Sequence, residues 1–139
     1  MISQRIPGII KIGFLKSSQL PPDIMLQSIA GLVIGIPTQI TWIPFVGDCI
    51  LSWEGTLLNV GKQEKSTIKF NTSFVIPDDI HLAFVVRCAS GKEYVIGARE
   101  ARYPVVTYSE TTGKQSGDAA VRSYTITHIA QKSVIECSL

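Results

Sequence analysis

The chain has 139 residues, 45% apolar and 17% charged, with 13 Lys and Arg against 11 Asp and Glu. That length predicts a single domain spanning residues 1–139 with a core of ordinary size, and the charged fraction lies below the roughly 25% usual for soluble chains. Charge this balanced, with no basic block, excludes a sequence-specific nucleic-acid partner held by electrostatics. A surface so poor in charge points instead to cover by a partner.

The N-terminus lacks a basic region leading into a long apolar run and a small-residue cleavage site, so no secretory signal is expected. No charged residue lies between Asp23 and Asp48. Even so, Gln27, Gly31, Gly35, Pro37, Gln39 and Pro44 interrupt that stretch, and its longest clean run, residues 29–36, is too short to cross a bilayer. Cys49, Cys88 and Cys137 are odd in number and widely spaced, as are His81 and His128. The cysteines are expected reduced and buried, and neither a metal nor a cofactor is expected.

Taken in order, residues 8–15 form a β-branched run between Pro7 and Lys16, the pattern of a first strand. Pro21 and Pro22 stop the chain, and Asp23 is placed to cap a short helical turn. Residues 29–36 show no polar alternation and predict a strand covered on both faces. Residues 39–43 alternate polar with apolar and predict a half-buried strand ended by Pro44. Residues 48–53 and 56–60 read as two strands joined by a tight Glu54-Gly55 loop, and residues 61–66 as a solvated turn.

Residues 66–76 carry the clearest period of two, with Ile68, Phe70, Thr72, Phe74 and Ile76 on one face. Burying such side chains contributes about 1.5–3 kcal/mol each. Pro77, Asp78 and Asp79 end this strand and are placed to cap a single turn. Residues 82–88 and 93–97 flank a Ser90-Gly91 turn and predict a hairpin. Strand character resumes at residues 105–109, a polar arm follows from Glu110 to Asp118, and residues 120–129 place Tyr124, Ile126 and His128 on one face. Residues 133–138 predict a terminal strand. The fold class is therefore all-β, an antiparallel β-sandwich or barrel with at most one or two short helical turns.

None of the sequence patterns tested points to catalysis. Gly113-Lys114 lacks the longer glycine-bounded loop and the following Ser or Thr of a phosphate-binding loop, since Gln115 follows on a β-arm. No serine lies in a Gly-x-Ser-x-Gly turn, and Asp78, Asp79 and His81 read as a capped turn with a nearby histidine. An enzyme is not expected. Trp42, Pro44 and Phe45 form an uncharged aromatic cluster that suits either a contact surface or the core.

Five features recur together in the second half: Ser73-Phe74-Val75-Ile76-Pro77; the Gly91-Lys92 hairpin; Ile96-Gly97-Ala98-Arg99-Glu100 leading to Tyr103-Pro104; Thr112-Gly113 with Gly117-Asp118; and Ser123-Tyr124-Thr125-Ile126-Thr127. In them, residues 74–138 resemble the C-terminal half of small virion proteins encoded by phages and prophages of gut bacteria. The resemblance implies a tail or head-to-tail component, assembled in the bacterial host cytoplasm and resident in the virion. It further implies association with copies of itself, as a ring in the manner of tail-tube proteins, and with other virion proteins. On that view the arm residues Thr111, Thr112, Gly113, Lys114, Gln115 and Ser116 join Trp42, Pro44 and Phe45 as interface candidates. The alternative expectation is a monomeric β-sandwich module that recognises a carbohydrate or a protein through the Trp42 and Phe45 region.

Overall fold

The computed structural model describes residues 4–5, 8–20, 34–35, 40–58, 61–77, 79–97, 103–110, 122–130 and 132–138. Among the described residues, eleven strands run in chain order as β1 (Gln4–Arg5), β2 (Ile9–Lys16), β3 (Ile34–Gly35), β4 (Thr41–Ile43), β5 (Val46–Leu58), β6 (Gly61–Thr72), β7 (Leu82–Cys88), β8 (Glu93–Ile96), β9 (Val105–Glu110), β10 (Arg122–Ala130) and β11 (Ile135–Ser138). They build two sheets, ordered β1-β5-β6-β10-β9 and β3-β11-β8-β7-β2-β4, antiparallel except for the parallel β3–β11 pair. The fold is an all-β sandwich. Among the described residues, the one helical element is a 3-10 turn, Ser17–Gln19, whose Ser17 N–H donates to the His81 carbonyl at 3.0 Å.

The main core lies between the sheets. Alternation sends Ile68 and Phe70 of β6, Tyr124 and Ile126 of β10 and Leu51 of β5 inward to meet Ile12, Phe14, Phe84 and Val86 of the other sheet. Phe70 stacks on Tyr124, with centroids 5.6 Å apart. A second cluster, Leu15, Leu20, Ala83, Val85, Val95, Ile135 and Cys137, lies on the outer face of the six-stranded sheet, so β7 is buried on both sides. The Ser90-Gly91 hairpin forms as the sequence predicts, with Gly91 at φ +90° and β7 paired to β8.

Four sequence expectations are corrected. β5 runs unbroken through Glu54 and Gly55, which pair with Lys65 and Glu64, and the positive-φ glycines of this region are Gly47 and Gly61. Residues 61–66 are not a solvated turn but the start of β6, with Glu64 buried. β6 ends at Thr72 rather than at Ile76, because the Thr72 hydroxyl donates to the Pro44 carbonyl and accepts the Phe74 N–H at 3.0 Å, which draws the chain out of the ladder. No helical turn forms among the described residues after Pro77, and His81 stacks instead on Tyr103, with centroids 3.7 Å apart. The turn predicted at Asp23 and most of the 29–36 strand lie outside the described residues, although Ile34–Gly35 is strand.

Candidate functional site

Trp42, Pro44 and Phe45 line a single cleft with Ile10 and Lys11 at the margin of the six-stranded sheet. β4 lies on β2 there, with Trp42 opposite Gly13. Glycine is needed at that position because a Cβ would stand 2.5 Å from Ile40 Cγ2 and 2.8 Å from the Thr41 carbonyl oxygen. Trp42 remains 36% exposed, Pro44 is exposed and Phe45 is half-buried against the core. Two cations reach the indole, Lys11 Nζ at 5.3 Å and Arg87 Cζ at 5.8 Å from its centroid. Arg87 also gives two N–H groups to Glu93 Oε2, at 3.0 and 2.8 Å.

A second cleft, of about 380 Å³, opens beneath β9, lined by Val75, Ile76, Ile80, Tyr108, Arg122 and Tyr124 among others. The Tyr124 hydroxyl accepts the Ile76 N–H at 3.1 Å and an Arg122 N–H at 3.2 Å. The Arg122 guanidinium lies over the Tyr108 ring, Cζ 4.3 Å from its centroid, and reaches Glu110 at 3.4 Å. The Tyr124 hydroxyl, and after it Glu110, hold this guanidinium even more firmly protonated than usual.

Glu64, Ser66, His128 and Ser133 form a buried polar cluster at the β10–β11 corner. Ser133 Oγ donates to the His128 carbonyl at 2.9 Å and stands 3.4 Å from His128 Nδ1, with Ser66 Oγ 2.5 Å away. Serine, histidine and glutamate together invite comparison with a hydrolytic triad. Here, however, Glu64 Oε1 accepts the backbone N–H groups of Ser133 and Val134, at 2.9 and 3.0 Å, and neither serine has any exposed surface. The cluster pins the β11 entry to β6. Sequence reading placed His128 on one face with Tyr124 and Ile126, and that face is buried; it missed Glu64, which the Ile68–Phe70 alternation carried back four residues would have set on the buried face of β6.

The cysteines are free and buried, as expected. Burial pushes the thiols of Cys49 and Cys137 up to about 12, helped by nearby Cys88 in the first case and by Glu93 and Glu136 in the second. Among the described residues no three His, Cys, Asp or Glu side chains gather as a metal site, and no helix is long and apolar enough to cross a membrane.

The interface candidates Thr111, Thr112, Gly113, Lys114, Gln115 and Ser116 lie outside the described residues. The strands that flank them are described: Glu110 and Arg122 are opposite one another in the β9–β10 register, so that segment leaves from and returns to adjacent strands. No family model, curated protein or solved structure matches this chain.

Proposed function

We propose that this chain is a non-enzymatic structural protein that assembles with copies of itself and with other particle proteins, a phage tail or head-to-tail connector subunit within the virion. One observation carries the reading: the distribution of its exposed large apolar side chains. Ile10 and Trp42 line the β4 cleft, with Val46, Ile50 and Leu57 exposed on β5, which follows β4; Val75, Ile80 and Tyr108 line the β9 cleft, with Val105 exposed on β9 itself. In the five-stranded sheet, β5 and β9 stand on either side of the β6–β10 pair, so the two groups face different neighbours. Separate apolar patches on opposite flanks suit an assembly protein, whose surface is completed by other subunits.

Solution mass across a concentration range tests the reading. An oligomer, with removal of residues 111–116 leaving the fold intact and reducing that mass, is the expected result. A second reading, a monomeric module binding a carbohydrate or a protein, is favoured by the half-exposed Trp42 flanked by Lys11 and Arg87. A strict monomer whose Trp42 fluorescence shifts on addition of oligosaccharides would select it.

A further inference from the structure

Among the described residues, β9 is the longest strand that ends a sheet, and no other strand covers its outer edge. Of the strands that end a sheet, β1 and β3 have two residues and β4 has three, whereas β9 has six. Short length, charged side chains, proline and bulges are the usual protections of a sheet edge against pairing with another chain. β9 carries them only at its ends, Pro104 just before it and Glu110 as its last residue; the five residues between, Val105-Val106-Thr107-Tyr108-Ser109, have no charge, and the register with β10 is unbroken. Among the described residues it pairs with β10 alone, and every residue but Val106 is exposed, Val105 at 60% and Tyr108 at 54%.

We infer that β9 is the seam of a two-fold dimer, in which it pairs antiparallel with β9 of a second copy of this chain, centred on Thr107. The inference rests on the assembly reading and specifies its first contact. The strand's own sequence selects both partner and register. Val106 and Tyr108 face the interior side with Ile126 and Tyr124, while Val105, Thr107 and Ser109 face outward with Thr127, Thr125 and Ser123. A second copy must match interior side to interior side, which leaves registers in which the axis passes through a residue.

With the axis at Thr107, threonine meets threonine, Tyr108 meets Val106 and Val105 meets Ser109. Hydroxyl pairs and aromatic pairs with β-branched residues are favoured cross-strand neighbours. An axis at Tyr108 would set Glu110 against Val106. One at Val106 would pair only three residues of each β9, Val105 to Thr107, against the five from Val105 to Ser109 in the Thr107 register, where Pro104 is met only by Glu110 at the strand's end. The Thr107 register joins the two five-stranded sheets into one and brings Tyr108 and Val106 of each copy together over the cleft that Val75 and Ile80 line.

Cysteine crosslinking of the full chain tests the seam, since the native thiols are buried. Directly opposed residues of an antiparallel pair have Cα atoms about 4.5–5.5 Å apart, within disulfide reach. Under mild oxidation Thr107→Cys alone should give a covalent dimer of twice 15.2 kDa. Val105→Cys and Ser109→Cys should crosslink when mixed and not separately, and Ser123→Cys, on the outer face one strand inward, should not crosslink. Thr107→Lys, at an exposed side chain, should leave the circular dichroism spectrum unchanged and halve the mass measured by light scattering. An oligomer that neither crosslinks through Thr107→Cys nor loses mass with Thr107→Lys overturns the seam and leaves the assembly reading standing. A chain that stays monomeric at high concentration and does not crosslink overturns the seam and counts against that reading as well.

Discussion

In β7 the run Leu82-Ala83-Phe84-Val85-Val86 is buried on both faces; in β9 the run Val105-Val106-Thr107-Tyr108-Ser109, also rich in β-branched residues with one aromatic, is exposed at every position but one. Both segments have the composition of strands. What separates them is rank in the sheet: β7 lies between β2 and β8, with the main core on one side and the second cluster on the other, whereas β9 ends its sheet. Strand-forming chemistry thus stabilises the interior at one place and leaves apolar surface exposed at the other.

The largest effect that would sharpen this contrast is truncation of Phe84, which is fully buried. Phe84→Ala should cost about 3–5 kcal/mol in urea unfolding, as removal of a buried aromatic does. A loss below about 1 kcal/mol would mean that the face of β7 turned to the main core is not sealed. Next in size is the contact between β7 and the end of β8. A Cβ on Gly97 would stand 2.6 Å from Ala83 Cβ, so Gly97→Ala should cost about 1–3 kcal/mol, and Ala83→Gly in the same chain should restore part of it. Equal losses with and without Ala83→Gly would break the account of that close approach.

The buried thiols give a pH dependence. A thiol that titrates near 9.0 when solvated and at about 12 when folded resists ionisation in the native state alone. The unfolded chain therefore releases these protons first. Stability should be full below pH 9 and fall as pH rises toward 12, by roughly 1 kcal/mol per pH unit for each of Cys49 and Cys137. Urea midpoints measured across that range, for the native chain and for Cys137→Ala, should show a shallower fall in the variant. The smallest effect belongs to β9: Tyr108→Ala should cost under about 1 kcal/mol of monomer stability, read at concentrations too low for association. A cost as large as that at Phe84 would mean that β9 belongs to the core.

Much of the fold was legible before the structure, and for a local reason. Side chains alternate across a strand whatever surrounds it, so Ile68 and Phe70, and likewise Tyr124, Ile126 and His128, could be assigned to one face, and they are buried there. The Ser90-Gly91 turn was legible because positive φ suits glycine. Glu54-Gly55 carried a similar signal and misled, since Gly55 sits mid-strand opposite Glu64. Of the interface candidates, Trp42, Pro44 and Phe45 do share one cleft, but that they line it with Ile10 and that Lys11 and Arg87 flank the indole depends on β2 and β7, distant in sequence.

By itself, then, the sequence determined that this is a chain of strands, where most of them lie and which side chains share a face, because period-two alternation and turn chemistry act over a few residues. Tertiary structure alone decided which faces are covered. Glu64 is buried because the backbone of Ser133 and Val134 comes to meet its carboxylate; β7 is sealed and β9 left open because strand order sets how many neighbours each has. Burial is a property of non-local neighbours, and two strands of like composition acquire it or lack it according to where the chain lays them.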